Sequence, residues 1–524
     1  MENKMEEKKV LVKLHNLKQW FPVKKTKFRQ KQQYVRANDG IFLEIYEGET
    51  LGLVGESGCG KSTMGRSLLQ LYTQTAGKTM YYGRSIDELS PQYVVSLLKN
   101  ITKEMKNLQE LEGERDKLFA EIDNFTGDEK HEKRNEYREA RRKAQVKFSD
   151  ISTILGGFMV LEDVETPCAM LQTAYKTASE MYLLEQEMNE IQIVIDKKLG
   201  QIEKQKEEGK DASSLTSQVE KLKTKRDNHL NREGELAIVL RKEVKALEDL
   251  RAKNKDNEKF VEYETYREDG VDLAKLNYNE MRSLRKDLQL IFQDPYSSLN
   301  PRMTVGQIIG EGLVAHKFFA PNDDRMQDYI MEIMEKCGLA PYMIHRYPHQ
   351  FSGGQRQRIG IARSLAMKPK FVVCDEAVSA LDVSIQSQII NLLQDLKEEE
   401  NLTYLFISHD LSVVKYISDR IGVMYLGNIV ELATAESMFQ QPLHPYTEAL
   451  LLAIPTTDVD GKKDVPLLEG DIPSPVNPPK GCKFHTRCRY VTDECKIDEP
   501  DFQEMKPGHF VACHHPLLDK KLEI

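Results

Sequence analysis

The run LGLVGESGCGKST (Leu51–Thr63) constrains the fold of this 524-residue chain more than any other stretch. An apolar strand leads into a glycine-rich loop, and a helix follows through LLQLY (Leu68–Tyr72). Gly55, Gly60, Lys61 and Ser62 stand at the spacing G-x-x-x-x-G-K-[ST]. Such glycines permit the backbone angles that turn successive N–H groups inward around phosphates, and the helix adds its positive N-terminal end. The expected phosphate cradle is therefore Gly55, Glu56, Ser57, Gly58, Cys59, Gly60, Lys61, Ser62 and Thr63. Lys61 is expected to reach the β- and γ-phosphates and the Ser62 hydroxyl to ligate Mg²⁺. A buried strand feeding a phosphate-binding helix predicts an α/β fold. The loop by itself specifies a nucleoside triphosphate and leaves the reaction open.

The second half of the chain narrows the chemistry. FVVCDE (Phe371–Glu376) reads as a buried strand ending in two carboxylates. Beside a phosphate loop, Asp375 can hold Mg²⁺ through water and Glu376 can polarise an attacking water. Upstream, Ser352, Gly353 and Gly354 precede an amphipathic helix carrying Ile359, Ile361 and Leu365, a second anion-binding helix N-terminus. One chain has no second nucleotide for it, so it is expected to cap the γ-phosphate bound on another subunit.

The phosphate loop, Gln293, SGGQ (Ser352–Gln355), VVCDE, SALD (Ser379–Asp382) and ISHD (Ile407–Asp410), in that order, resemble the nucleotide-binding domain of an ABC ATPase. The resemblance implies a RecA-like core with an antiparallel β subdomain and a helical signature subdomain. It casts Gln293 as the glutamine that touches Mg²⁺ and the attacking water, and His409 as the switch histidine that orients Glu376. It also places Ser352, Gly353, Gly354 and Gln355 as the signature acting in trans and Asp382 as the aspartate crossing a dimer interface. Phe351 stands where leucine is usual. An aromatic residue upstream of the loop should stack on adenine; the family position falls on Phe21, with Trp20 the alternative.

FQDPYSSLNPRMTVGQII (Phe292–Ile309), MYLGNIVE (Met424–Glu431), HPYTEALL (His444–Leu451) and LLEGDIPSPVNPPKGCKFHTRCRY (Leu467–Tyr490) resemble the oligopeptide/dipeptide importer ATPases. CDEAVSALDVS (Cys374–Ser384) is similar to the F-type subunit of that family. This likeness covers residues 8–90 and 276–516. It implies an ATP hydrolase at the cytoplasmic face of the cell membrane that drives uptake of oligopeptides or dipeptides. The implied partners are a D-type ATPase subunit in a head-to-tail heterodimer, two transmembrane permease subunits and an extracellular substrate-binding protein. The transported substrate is not encoded here.

Composition divides the chain into segments. Residues 1–90 and 276–450 alternate apolar strands, glycine turns and helices, forming the two parts of the nucleotide-binding domain. Residues 91–275 are charge-rich, with only Pro91 and Pro167 as prolines. Met181, Leu184, Met188, Ile191, Ile195 and Ile202 form a seam, and Leu215, Val219, Leu222, Leu236, Leu240, Leu247 and Leu250 form a second. The polar stretch Glu207–Ser214 separates them, which predicts an inserted helical hairpin of coiled-coil type. Arg226, His229, Glu233 and Glu243 interrupt the second seam. A shorter helical pair, broken near Asn124–Lys130, is expected before it. Residues 451–524 are first proline-rich and then cysteine-rich.

Cys482, Cys488, Cys495 and Cys513 are spaced C-x5-C-x6-C-x17-C, which matches neither a zinc ribbon nor a standard ferredoxin run. Iron–sulfur ligation, zinc ligation and free thiols all remain open, with His485, His514 and His515 close enough in sequence to substitute as ligands. Family members with this tail pattern are thought to carry a [4Fe–4S] cluster, which the resemblance extends to these cysteines. The alternative function, an ABC-type ATPase of DNA maintenance or repair using its helical insertion, fits less well. The insertion ends before Gln293, there is one cassette, and the formal charge of −9 suggests no nucleic-acid surface. The basic stretch Val23–Gln33 is expected to form a solvated hairpin tip. No apolar run is long enough to span a bilayer, and the N-terminal residues read as lacking a signal peptide.

Overall fold

The computed structural model describes residues 8–25, 32–125, 127–321, 323–454, 468 and 470–518. It divides into two compact units. One comprises Met1–Gly83, Asp272–Ala274 and Met281–Ile524; the other comprises Arg84–Val271 and Lys275–Glu280. The helical unit thus begins at Arg84, earlier than the expected 91, because Ile86 is already buried in that unit's core with Val94 and Leu98.

The strands, in chain order, are β1 (Val10–Pro22), β2 (Tyr34–Tyr46), β3 (Thr50–Val54), β4 (Ala76–Ser85), β5 (Gly270–Asp272) and β6 (Leu288–Ile291). They continue with β7 (Phe371–Asp375), β8 (Thr403–Ile407), β9 (Arg420–Tyr425), β10 (Asn428–Thr434), β11 (Gln503–Lys506) and β12 (His509–Val511). β1 pairs antiparallel with β2 on one side and β4 on the other. Of the stretch Val23–Gln33 expected to form a hairpin tip, residues 26–31 lie outside the described residues; the Val23 N–H donates to the Gln33 carbonyl at 2.8 Å. The chain leaves this sheet on β4 and returns on β5.

The second sheet has the order β11-β12-β10-β9-β3-β8-β7-β6. Pairings from β6 through β9 are parallel and those from β9 to β11 antiparallel. β3, β7 and β8 are buried at every position. Continuous apolar runs such as TLGLV and TYLFI are what central parallel strands need, since both faces are covered. Val54, Cys374, Phe406, Ile421 and Val423 join one large core with the helices Val305–Ala315, Gly353–Leu365 and Val383–Glu400. Each such large side chain contributes about 1.5–3 kcal/mol on burial. This core fixes the carboxyl ends of β3, β7 and β8 against each other, and the site is built there. β11 and β12 come from the cysteine-rich extension and prolong this sheet.

In the helical unit, Gln92–Lys99, Ile101–Glu121 and Gly127–Leu155 are followed by two long helices, Glu165–Glu207 and Ser213–Lys253. Ile151, Leu155, Phe158, Leu171 and Phe260 centre one core. Ile191, Ile195, Ile202 and Val219 form a second one, with Leu215 and Leu222 against it. Of the expected seam residues, Ile191, Ile195 and Ile202 of the first and Leu215, Val219 and Leu222 of the second meet in this core, while Leu240, Leu247 and Leu250 join the first core. Two of the four polar interruptions have partners: Arg226 Nη1 donates to Gln192 Oε1 at 2.7 Å, and His229 Nε2 lies 3.4 Å from a Glu187 carboxylate oxygen, whereas a buried Glu243 oxygen has no hydrogen-bond partner. Among the described residues, no helix is long and apolar enough to cross a membrane.

Candidate nucleotide site

The loop between β3 and the helix Lys61–Leu68 is held by close backbone approaches. Gly55 has φ +149°, and a Cβ there would lie 2.2 Å from the Met424 carbonyl oxygen; Gly60 has φ +107°, and its Cβ would lie 2.1 Å from the Ala37 carbonyl oxygen. Only glycine fits at either place. Lys61 is 5% exposed, and its Nζ donates to the carbonyls of Gly55 at 2.7 Å and Glu56 at 3.1 Å. The amine is therefore folded over the loop, where the motif expects phosphates. Cys59 is buried beside it, and burial pushes its thiol above the ordinary range. Ser57 and Gly58 are exposed; Ser62 and Thr63 are half-buried at the helix start.

Three strand ends bring the candidate hydrolytic residues together. Asp375, at the end of β7, is 1% exposed. Its Oδ2 accepts from Arg66 Nη2 at 3.1 Å, whereas its buried Oδ1 has no hydrogen-bond partner. An orphaned carboxylate oxygen in this position suits a hydrated divalent cation, because leaving it unpaired is costly. Asp375 and the Ser62 hydroxyl thus fit Mg²⁺. Glu376 follows with φ 49°, a left-handed conformation that bulky residues rarely adopt. The turn is held by the Glu376 N–H donating to the Ile407 carbonyl at 3.0 Å and by the Ser379 hydroxyl donating to the Glu376 carbonyl at 3.0 Å. This aims the carboxylate at Gln293, whose Nε2 donates to Glu376 Oε2 at 2.6 Å, while His409 Nδ1 lies 3.8 Å from the same oxygen. Gln293, Glu376 and His409 come from the ends of β6, β7 and β8 and converge, with His409 and Gln293 exposed.

The SGGQ segment is a helix N-terminus. Ser352 Oγ accepts from the Gln355 N–H at 3.3 Å, and Gln355 Oε1 accepts from the Ser352 N–H at 3.1 Å, a reciprocal capping box. Gly354 sits against Ile385, where a Cβ would approach Cγ2 to 2.5 Å. Asp382 caps the helix Val383–Glu400, accepting from the Ile385 N–H at 3.0 Å. Ser352 and Gln355 bond to each other rather than to the phosphate loop. Of the two aromatic candidates, Trp20 is occupied: its indole N–H donates to Asp39 at 3.2 Å, and the Arg36 guanidinium lies 4.9 Å from its ring centre. Phe21 is half-buried, edge-on to Tyr72 with ring centres 5.4 Å apart.

In the extension, Cys482, Cys488, Cys495 and Cys513 line one small pocket with Phe484 and Tyr490. Burial, reinforced by the neighbouring thiols, pushes Cys482 up to about 11 and Cys513 up to about 12. Each nearby histidine has another partner: His485 Nδ1 lies 2.8 Å from the Cys482 carbonyl oxygen, His515 Nε2 lies 2.8 Å from Thr492 Oγ1, and His514 Nε2 lies 3.0 Å from the Asp498 carbonyl oxygen. Among the described residues, no group of three or more His, Cys, Asp or Glu is arranged to hold a metal ion.

Sequence reasoning missed Arg66, Tyr446 and Arg487. Arg66 was invisible because its partner Asp375 is 309 positions away. Arg487 had one available signal: Glu56 places a carboxylate in a loop built for anions, which demands a cation nearby.

A phosphate loop on β3, carboxylates at the end of β7 and a glutamine and histidine from the adjoining strand ends define a P-loop nucleoside triphosphatase. The family model for "ABC transporter" matches residues 38–261 and 259–379, and that for "Oligopeptide/dipeptide transporter, C-terminal region" matches residues 430–495. The oligopeptide transport ATP-binding protein AppF of Bacillus subtilis is 52% identical over 248 residues, 47% of this chain and 75% of that protein. The putative oligopeptide transport ATP-binding protein YkfD of the same organism is 53% identical over 252 residues, 48% of this chain and 76% of that protein. A putative peptide import ATP-binding protein of Brucella ovis is 53% identical over 245 residues, 47% of this chain and 77% of that protein. The chain belongs to the ABC transporter ATP-binding family, in the branch with the oligopeptide/dipeptide C-terminal region, and it is an ABC-type ATPase. These findings favour transport over DNA maintenance or repair.

Proposed function

We propose that this chain is the F-type ATP-binding subunit of an importer and that it hydrolyses ATP to drive uptake of oligopeptides or dipeptides. The reading is carried by the convergence of Gln293, Glu376 and His409 beside the buried Asp375 in a chain whose C-terminal part matches the oligopeptide/dipeptide transporter region. Its partners are two permease subunits, a D-type ATPase subunit and an extracellular substrate-binding protein, and it works on the cytoplasmic face of the membrane. The names of the relatives support the substrate class.

In the proposed cycle Lys61 and the loop N–H groups hold the phosphates, and Phe21 stacks on adenine. Asp375, Ser62 and Gln293 would hold Mg²⁺, which would supply charge neutralisation on the phosphate oxygens. Glu376 accepts a hydrogen bond from the attacking water and His409 orients that carboxylate. Ser352, Gly353, Gly354 and Gln355 of one subunit close over the ATP of the other, and Asp382 crosses the interface. Catalysis is by positioning and charge stabilisation. Co-expression with both permeases and the D-type subunit should recover this chain in a detergent-stable membrane complex. Recovery as a free protein, with the other subunits assembled without it, would defeat the subunit assignment.

Two finer assignments belong to the same reading. The helices Glu165–Glu207 and Ser213–Lys253 act as a coiled-coil arm that binds a partner; the two apolar seams and the Arg226–Gln192 bond between the helices support it. The four tail thiols would hold a [4Fe–4S] cluster; their sharing of one pocket, in which His485, His514 and His515 each hydrogen-bond another group, supports thiolate ligation. Protein purified without oxygen should contain iron and sulfide and absorb broadly in the visible, and Cys488→Ser should remove that absorption. Colourless protein free of iron and zinc would eliminate the cluster.

A further inference from the structure

The phosphate loop and the cysteine-rich extension meet at Glu56. All three polar groups of that residue are engaged. Its N–H donates to the Tyr446 hydroxyl at 2.8 Å, and its carbonyl accepts from Lys61 Nζ at 3.1 Å. Its carboxylate accepts two bonds from Arg487, Nη1 to Oε2 at 2.7 Å and Nη2 to Oε1 at 3.0 Å. The side chain of Arg487 is 5% exposed and that of Glu56 25% exposed. The hydrogen bond to Glu56 raises the guanidinium above its already high ordinary value, so it is charged throughout.

The supports of this contact are rigid. Tyr446 is fully buried, and its ring lies 4.8 Å from Tyr425 and 5.3 Å from Phe484, centre to centre. Phe484, 2% exposed, sits in the same short loop as Arg487, between Cys482 and Cys488. That loop is tied at its base by the Cys482 N–H donating to the Cys495 carbonyl at 2.9 Å. A carboxylate in a loop that receives a polyphosphate is repulsive unless compensated. A planar guanidinium bonded at both oxygens compensates it and fixes its direction.

We propose that Arg487 is a positioning residue for ATP binding: from the extension it neutralises Glu56 and fixes the phosphate loop, so that the cysteine-rich extension is a structural part of the nucleotide site. This rests on the reading of Gly55–Thr63 as that site. Arg487 touches no reacting atom and acts through Glu56. Removing the guanidinium leaves an uncompensated carboxylate in the phosphate loop, whereas removing both members of the pair does not.

The test uses the full chain and trinitrophenyl-ATP binding, followed by steady-state kinetics. Arg487→Gln should weaken nucleotide affinity about tenfold and raise KM for ATP, with kcat changed by less than about twofold, since uniform binding is what is lost. Arg487→Lys should fall between. The double variant Glu56→Gln/Arg487→Gln, which has no uncompensated carboxylate, should recover most of the affinity lost in Arg487→Gln. A lowered Tm with unchanged affinity in Arg487→Gln would mark a merely structural contact and overturn the proposal. So would a double variant no tighter than Arg487→Gln. If Arg487→Gln does not fold, the double variant decides alone, and an affinity about tenfold or more below that of the unaltered chain there overturns the proposal. Lys61→Ala run alongside separates the two readings. Unchanged affinity in that variant sinks the phosphate-site assignment and this inference with it; lost affinity there with none lost in Arg487→Gln overturns the inference alone.

Discussion

Replacing Glu376 by Gln removes one charge while keeping the shape of the side chain and the acceptor that Gln293 uses. In the structure Gln293 Nε2 donates to Glu376 Oε2 at 2.6 Å, and a Gln at 376 can offer its carbonyl oxygen to the same donor. The left-handed backbone at φ 49° disfavours Glu and Gln alike, so the turn at the end of β7 should survive. Lys61 and Asp375, proposed to hold phosphate and metal, are untouched. What disappears is the carboxylate proposed to polarise water. A positioned base of this kind is worth about 10²–10⁴ in rate, or roughly 3–5 kcal/mol of barrier at 1.36 kcal/mol per tenfold. Glu376→Gln is therefore expected to hydrolyse ATP at least a hundredfold more slowly while binding it normally, with the closed dimer accumulating. Phosphate release by the reconstituted complex measures the first, and nucleotide titration with gel filtration measures the second. Turnover within about threefold of the unaltered chain would refute Glu376 as the water-polarising residue.

Lys61→Ala should lose a charge-assisted contact to the phosphates worth about 1.5–3 kcal/mol, a weakening of ATP affinity of roughly ten- to a hundredfold by titration. Burial holds His444 down at about 3, and its Nδ1 accepts from the Tyr446 N–H at 3.0 Å, so it is neutral when folded. The unfolded chain binds a proton there below its ordinary value of 6.5, so stability is lost as pH falls through that value. At pH 5.5 the loss is about 1.4 kcal/mol. Urea unfolding at pH 7.5 and 5.5 should show His444→Asn less pH-dependent than the unaltered chain by that amount; an identical dependence would contradict the neutral assignment. Replacing residues 86–269 by a short Gly/Ser linker, which keeps β5, should leave a soluble protein that binds ATP, because Ile86, Ile191, Ile195, Phe158 and Leu171 find their core within the helical unit; insoluble protein or lost binding would place the insertion in the catalytic fold.

What sequence made legible was local and periodic. The strand β3, the loop glycines and the seams at Ile191 and Val219 are encoded by neighbours in the chain, where the 2.0 and 3.6 periodicities apply. The convergence of Gln293, Glu376 and His409 was legible only through motif order, since each comes from a different strand end. The strands of the extension were not foreseen: β11 and β12 are short, and QEMK carries little apolar pattern. Their place in the sheet depends on pairing between Glu431 and Val511, far apart in sequence. Buried polar pairs escaped for the same reason. His509 Nε2 lies 2.7 Å from Glu431 Oε1, both nearly inaccessible, and Arg487 meets Glu56 across 431 positions. Each polar group must find a partner when buried, but nothing local says which one.

The central claim is that ATP hydrolysis at this site drives peptide entry. Its most direct test is uptake of a labelled oligopeptide into inverted-orientation-controlled proteoliposomes holding both permeases, the D-type subunit and this chain, with the substrate-binding protein on the receiving side. The account predicts accumulation that requires ATP on the side carrying the ATPase subunits and that vanishes with Glu376→Gln. Peptide accumulation that persists at the unaltered rate with Glu376→Gln, or hydrolysis that proceeds with no peptide movement, would contradict it.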